Sequence, residues 1–139
     1  MISAIPLTIV PLILYNVIAF VFAAGEATSP IWQSSLFTLT LVSGQPWTPT
    51  LADLIQAVAV CLLGAEIIKA ARFHRRLVLD HIVSTVVMIV YIVEFLAVGA
   101  AATSIFFLLT VIAVVDVMSG VAISLGATKR VASTHSADH

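Results

Sequence analysis

Asp116, Glu66 and Glu94 are carboxylates set inside long apolar runs, where an ionisable group is expensive. Insertion scales put a central Asp at about 2.5–3.5 kcal/mol, so such a group should face protein or water rather than lipid. Converging carboxylates can do two kinds of chemistry there. They can supply hard oxygen ligands to a small cation, or they can share and pass a proton. At about 1.5 Å of rise per residue, Glu66 and Asp116 differ in depth by about 5 Å and could meet across a helix interface. Glu94 sits at least one and a half turns further out.

The neighbours of these acids repeat at helical spacing. Asp80, Ser84, Val87, Tyr91, Glu94 and Val98 form one stripe, and Gln56, Ala59, Leu63, Glu66 and Ala70 a second. Ala113, Val117, Gly120 and Ser124 make a small-residue seam beside Asp116, suited to close helix contact. Asn16 aligns with Ala19 and Ala23. The expectation is a bundle with Asn16, Gln56, Glu66, Tyr91, Glu94 and Asp116 turned inward. A purely structural reading competes with ion chemistry: a protonated Asp116 can donate to a backbone carbonyl or to Asn16, fixing helix register. Lys69, one turn from Glu66, can snorkel to the interface and offer that acid a partner.

The run from Lys69 through Arg72, Phe73, Arg75 and Arg76 is first a topology determinant. It also has the charge to hold an anionic lipid headgroup, with Phe73 dipping into the interface. His81, beside Asp80 at the start of a helix, reads as a surface group rather than a proton relay. His135 and His139 are four apart, but their tail does not read as a helix, so no metal site is expected. Cys61 is the only cysteine and lies in an apolar run, which excludes an internal disulfide and a thiolate cluster.

Elements must position these groups, and composition says in what solvent. Of 139 residues, 61% are hydrophobic and 9% charged, with a mean hydropathy of +1.18. Soluble domains carry about 25% charged residues. Seven acids and six bases cannot cover a water-facing surface, which rules out an ordinary soluble enzyme or a basic nucleic-acid binder. The chain reads as an all-α membrane protein, a four-transmembrane-helix bundle in one domain over residues 1–130.

Crossing about 30 Å of hydrocarbon takes about 20 residues, and four stretches are long enough. They cover about Ala4–Ala24, Leu51–Ala71, Asp80–Val98 and Thr103–Leu125. Pro6 falls in the first turn of span one, while Pro11 should bend the helix or mark a local irregularity. Thr50 and Asp53 have the form of a capping box opening span two. Gly99 should stop span three. Thr103 or Ser104 should cap span four and Gly126 close it. Residues 131–139 read as a disordered cytoplasmic tail.

Bases orient the bundle. Lys69, Arg72, Arg75 and Arg76 lie between spans two and three, and Lys129 and Arg130 follow span four. The positive-inside rule makes both clusters cytoplasmic, with both termini inside. Residues 25–49 are then extracytoplasmic. Trp32 and Trp47 suit the headgroup level, and Phe37, Leu39 and Leu41 alternate with Thr38 and Thr40 before the turn Ser43–Pro46. A short β-like hairpin or strand between helices 1 and 2, resting on the outer surface of the bundle, is expected. Its hydrogen-bonding partner would come from earlier in the loop or from another subunit.

The segments Leu51–Ala71, Asp80–Phe95 (DHIVSTVVMIVYIVEF) and Phe106–Gly120 (FFLLTVIAVVDVMSG) resemble small bacterial inner-membrane proteins of uncharacterised function. The resemblance covers about the last two thirds of the chain. It implies a bacterial inner-membrane location and four spans, and it carries no activity. There is no phosphate loop, HExxH pair or serine elbow, so no enzyme activity and no cofactor are expected. The expected role is that of a structural or accessory membrane protein, associated with lipid and with itself or another membrane protein. The alternative is an oligomeric channel or carrier for protons or small cations that uses Asp116, Glu66 and Glu94.

Overall fold

The computed structural model describes residues 5–72 and 77–137. Its helices are α1 (Ile9–Val17), α2 (Leu51–Arg72), α3 (Leu77–Ala97) and α4 (Ser104–Ala137). Among the described residues, Leu51–Arg72, Leu79–Ala97 and Ser104–Gly126 are long and apolar enough to cross a membrane, as a multi-pass protein requires. The first apolar helix is shorter than the span expected there. Nine α-helical residues are followed by a π-helical turn at Ile18–Phe22, giving a helix of about 20 Å.

The prolines explain the short span. Pro6 lies before the helix, and Ile9 and Val10 donate to the Pro6 and Leu7 carbonyls at 3.2 and 3.1 Å in a tight opening turn. Pro11 therefore falls among the first helical residues, whose N–H groups have no intrahelical partner to lose. The helix runs through Pro11, and its irregularity comes later, at the π turn. That turn closes with Ala23 N–H on the Ile18 carbonyl at 2.9 Å and Gly25 N–H on Ala19 at 2.8 Å. Ala24 and Gly25 both take positive φ, +52° and +80°, to complete this reversal.

Both expected N-terminal caps are present. Asp53 Oδ2 accepts from the Thr50 N–H and hydroxyl at 2.8 Å, and Thr50 Oγ1 accepts from Asp53 N–H at 3.3 Å. Thr103 Oγ1 accepts from Phe106 N–H at 3.0 Å. At the other end α4 differs from expectation. Gly126 is not among the glycines of positive φ, and the helix runs through it to Ala137, so residues 131–137 are helical rather than disordered. A glycine ends a helix only when it adopts the left-handed conformation.

Between α1 and α2 the chain makes a hairpin, β1 (Leu39–Thr40) antiparallel to β2 (Pro46–Trp47), with Leu39 opposite Trp47. The partner of the first strand is thus the second arm of the same loop. Ser35 bridges to Thr50 at the base, and Gly44, at φ +80°, donates to Leu41 at 2.8 Å in the turn. Residues 33–48 are exposed, so the hairpin projects from the bundle instead of resting on it. Trp32 departs from the headgroup role expected of it. It is 3% exposed and stacks on Tyr15 with centroids 4.7 Å apart.

α4 is the hub, packing most extensively on α3 and α2, while α1 lies against α2 and α4. Tyr15, Tyr91 and Phe106 fill the centre, with Phe106 4.8 Å from Tyr15 and 5.5 Å from Tyr91 between ring centroids. Ile55, Ala59 and Leu109 complete this layer. The buried stripe on α4 is Phe106, Leu109, Ala113 and Asp116, at helical spacing.

Candidate functional site

Two residues of the segment leading into α1 collect one polar side chain from each of the other helices. Leu7 N–H donates to Glu66 Oε2 of α2 at 3.1 Å. Thr8 Oγ1 donates to Asp116 Oδ2 of α4 at 3.3 Å, and the Thr8 carbonyl accepts from the Tyr91 hydroxyl of α3 at 2.8 Å. The segment is free to do this because α1 starts late. Its opening N–H groups, and the positive end of the helix dipole, lie at the depth of the two acids.

Glu66 is 5% exposed and also pairs with Lys69 Nζ at 2.6 Å. The same ammonium reaches the Ile5 carbonyl at 3.5 Å. Asp116, equally buried, is approached by the Ser84 hydroxyl of α3 as well as by Thr8. Neither carboxylate faces lipid, as the cost of a bare charge there requires.

A cavity of about 30 Å³ lies between these groups, lined by Glu66, Asp80, His81, Ser84, Asp116 and Ser119. That is room for about one or two waters. Asp80 stands in the first turn of α3, at the end of the bundle carrying Lys69 and Arg72. Its Oδ1 is buried without a hydrogen-bond partner among the described residues. His81 leans on Gly120: a Cβ added there would come 3.1 Å from His81 Nδ1. Gly120 is thus the gap in α4 that admits the imidazole to the cavity wall.

The structure brings together only part of the expected set. Glu66, Asp116 and Tyr91 turn inward. Asn16, Glu94 and Gln56 are half-buried at the edges of the bundle. Glu94 and Asn16 line a separate groove between α1 and α3, and Gln56 lines one between α2 and α4. Asn16 donates to the Leu12 carbonyl of its own helix at 3.0 Å and stands beside Glu94. Of the basic run, Lys69 is engaged with Glu66, Arg72 is exposed at the end of α2, and Arg75 and Arg76 lie outside the described residues.

Three contributors were not legible as such. His81 reads as a surface group, yet it lines the cavity. Asp80 belongs to the right stripe, but nothing in the sequence shows its carboxylate facing the two acids. Thr8 sits in an apolar run that reads as part of span one, with Pro6 in its first turn, so nothing marked its segment as non-helical. Among the described residues, no three His, Cys, Asp or Glu side chains gather in a way that could hold a metal ion. α4 carries His135 within its helix, whereas His139 lies outside the described residues. No protein-family model, no curated protein and no solved structure matches this chain.

Proposed function

We propose that this membrane protein handles protons, taking them up from its basic end at the Glu66–Asp116 site. The observation that carries this reading is the single small cavity that joins both buried carboxylates to Asp80 and His81. Room for about one or two waters suits proton transfer between oxygens and imidazole nitrogen better than passage of a hydrated cation. Asp80, at the start of α3, is the group nearest the basic end and exchanges protons with it. His81 and an intervening water relay them inward, and Asp116 is the deepest acceptor. Toward the hairpin end, Tyr15, Tyr91 and Phe106 close the centre of the subunit. A proton crossing the bilayer therefore continues at the edge of the bundle, where Glu94 lies.

Orientation follows the positive-inside rule, with the basic end and both termini cytoplasmic in a bacterial inner membrane. We assign the chain no enzymatic activity and no cofactor. A structural role is supported by one specific observation, that Glu66, Asp116 and Tyr91 all bind residues 7 and 8 and so fasten the start of α1. The two readings share residues and separate in one experiment. Purified protein in liposomes carrying a pH-sensitive dye should relax an imposed proton gradient faster than empty liposomes, and Asp116→Asn should abolish the difference. Wild-type protein that behaves like empty liposomes would leave only the structural role.

A further inference from the structure

Two polar groups stand at the lipid-facing edges of the bundle at one level. Glu94 of α3 is half-buried in a groove of about 450 Å³ between α1 and α3, where Asn16 is the other polar lining residue. Gln56 of α2 is half-buried in a groove of about 570 Å³ between α2 and α4. It makes no side-chain hydrogen bond among the described residues. Asp53 lines that second groove too, but its Oδ2 is spent on Thr50 at the hairpin end.

The grooves share no helix, so they lie on opposite sides of the four-helix arrangement. Their depths agree by two routes. Gln56 is five residues into α2 from its hairpin end and Glu94 is three residues from the hairpin end of α3, about 7.5 and 4.5 Å of helix. Independently, Phe107 of α4 meets Phe95 of α3 at 5.7 Å between ring centroids, while its neighbour Leu108 lines the Gln56 groove.

We propose that copies of this chain associate side by side, the α2/α4 side of one lying against the α1/α3 side of the next, so that Gln56 donates to Glu94. The pairing answers both needs at once. A carboxylate that accepts from one carboxamide still has free lone pairs, and a carboxamide at bilayer depth has unused N–H groups that lipid cannot satisfy. A second copy is the occupant because every copy carries both halves at the same depth in the same membrane. The contact is heterologous, so each copy keeps one half free for a further neighbour and the assembly grows past a dimer into a row or ring.

Cys61 makes this testable. It is exposed, lies in the Gln56 groove, and is level with Ile89 and Val90 on the opposite groove. Ile89→Cys and Val90→Cys, each beside native Cys61, should give a ladder of dimers, trimers and larger species in native membranes on treatment with a short bis-maleimide. Wild-type protein should stay monomeric under the same treatment. Adding Gln56→Glu should cut the ladder several-fold, and the exchange Gln56→Glu with Glu94→Gln should restore it. No ladder from either cysteine pair overturns the proposal. So does a wild-type Cys61 dimer that goes no further, a cross-link only to a different protein, or an exchange that fails to restore what Gln56→Glu loses.

Discussion

Thr8 and Asp116 stand 108 positions apart and meet through a hydrogen bond of 3.3 Å from the threonine hydroxyl to the carboxylate. Thr8 is 2% exposed and Asp116 5%, so water is no substitute for either partner. The bond joins the first element to the last. It exists because Pro6 delays α1 until Ile9 and leaves Leu7 and Thr8 with polar groups that no helix satisfies.

Thr8→Val keeps the shape of the side chain and removes its donor. It should lower stability by about 1–3 kcal/mol, the range for leaving a buried polar group short of a partner. Thr8→Ser should stay within about 1 kcal/mol of wild type. Thermal unfolding in detergent, followed by far-UV circular dichroism, measures both. A loss in Thr8→Ser with none in Thr8→Val would show that the methyl group matters and the hydrogen bond does not.

Glu66 and Lys69 test whether the second acid depends on charge pairing. Removing one partner of a fully buried pair costs about 3–5 kcal/mol. Lys69 is 22% exposed on its side chain and Glu66 keeps the Leu7 N–H, so Lys69→Met should cost less, about 1–2 kcal/mol. Glu66→Gln combined with Lys69→Met should recover part of that loss, because a neutral carboxamide oxygen still accepts from Leu7. A double-mutant cycle on unfolding midpoints gives the coupling. Additive losses would mean that the 2.6 Å pair contributes nothing net.

Where the sequence succeeded, the signal was local. Thr50 with Asp53 and Thr103 before an apolar run mark the starts of α2 and α4, because a cap needs only residues within a turn of each other. The stripes that place Glu66, Tyr91 and Asp116 inside are equally local, being set by the period of the helix. Hydropathy found the three long apolar helices, yet it could not see that residues 5–8 are apolar and non-helical, since leucine and threonine suit either state. Gly126 misled for the opposite reason: its role depends on a φ value that composition does not carry. Periodicity alone also cannot separate a side chain at the centre of a bundle from one at its edge, and so Asn16, Gln56 and Glu94 were expected inside. The cavity was the least legible feature, because Asp80 and His81 reach it only through the relative placement of α2, α3 and α4.

Two glycines in helix interiors should respond differently to the same methyl group. A Cβ at Gly64 meets nothing within 4 Å, so Gly64→Ala should gain up to about 1 kcal/mol from helix propensity. A Cβ at Gly120 would come 3.1 Å from His81 Nδ1 and must push the ring aside, so Gly120→Ala should gain clearly less or lose. Unfolding midpoints of the two variants, compared on one scale, decide this. Equal gains would show that His81 yields freely and is not held against α4.

Asp80 separates the proton pathway from the scaffold. Its Oδ1 makes no hydrogen bond among the described residues, so Asp80→Asn removes the carboxylate while breaking none of the bonds that fasten α1. Unfolding should therefore change by less than about 1 kcal/mol. If Asp80 exchanges protons with the basic end, its loss should slow gradient relaxation in liposomes by about tenfold or more, the scale of removing a positioned acid–base group. Asp116→Asn removes the acceptor itself and should leave no relaxation above empty liposomes. Relaxation at the wild-type rate in Asp80→Asn, with Asp116→Asn inactive, would keep the deep acceptor and place the route to it elsewhere, past Ser119 on α4 rather than through the start of α3.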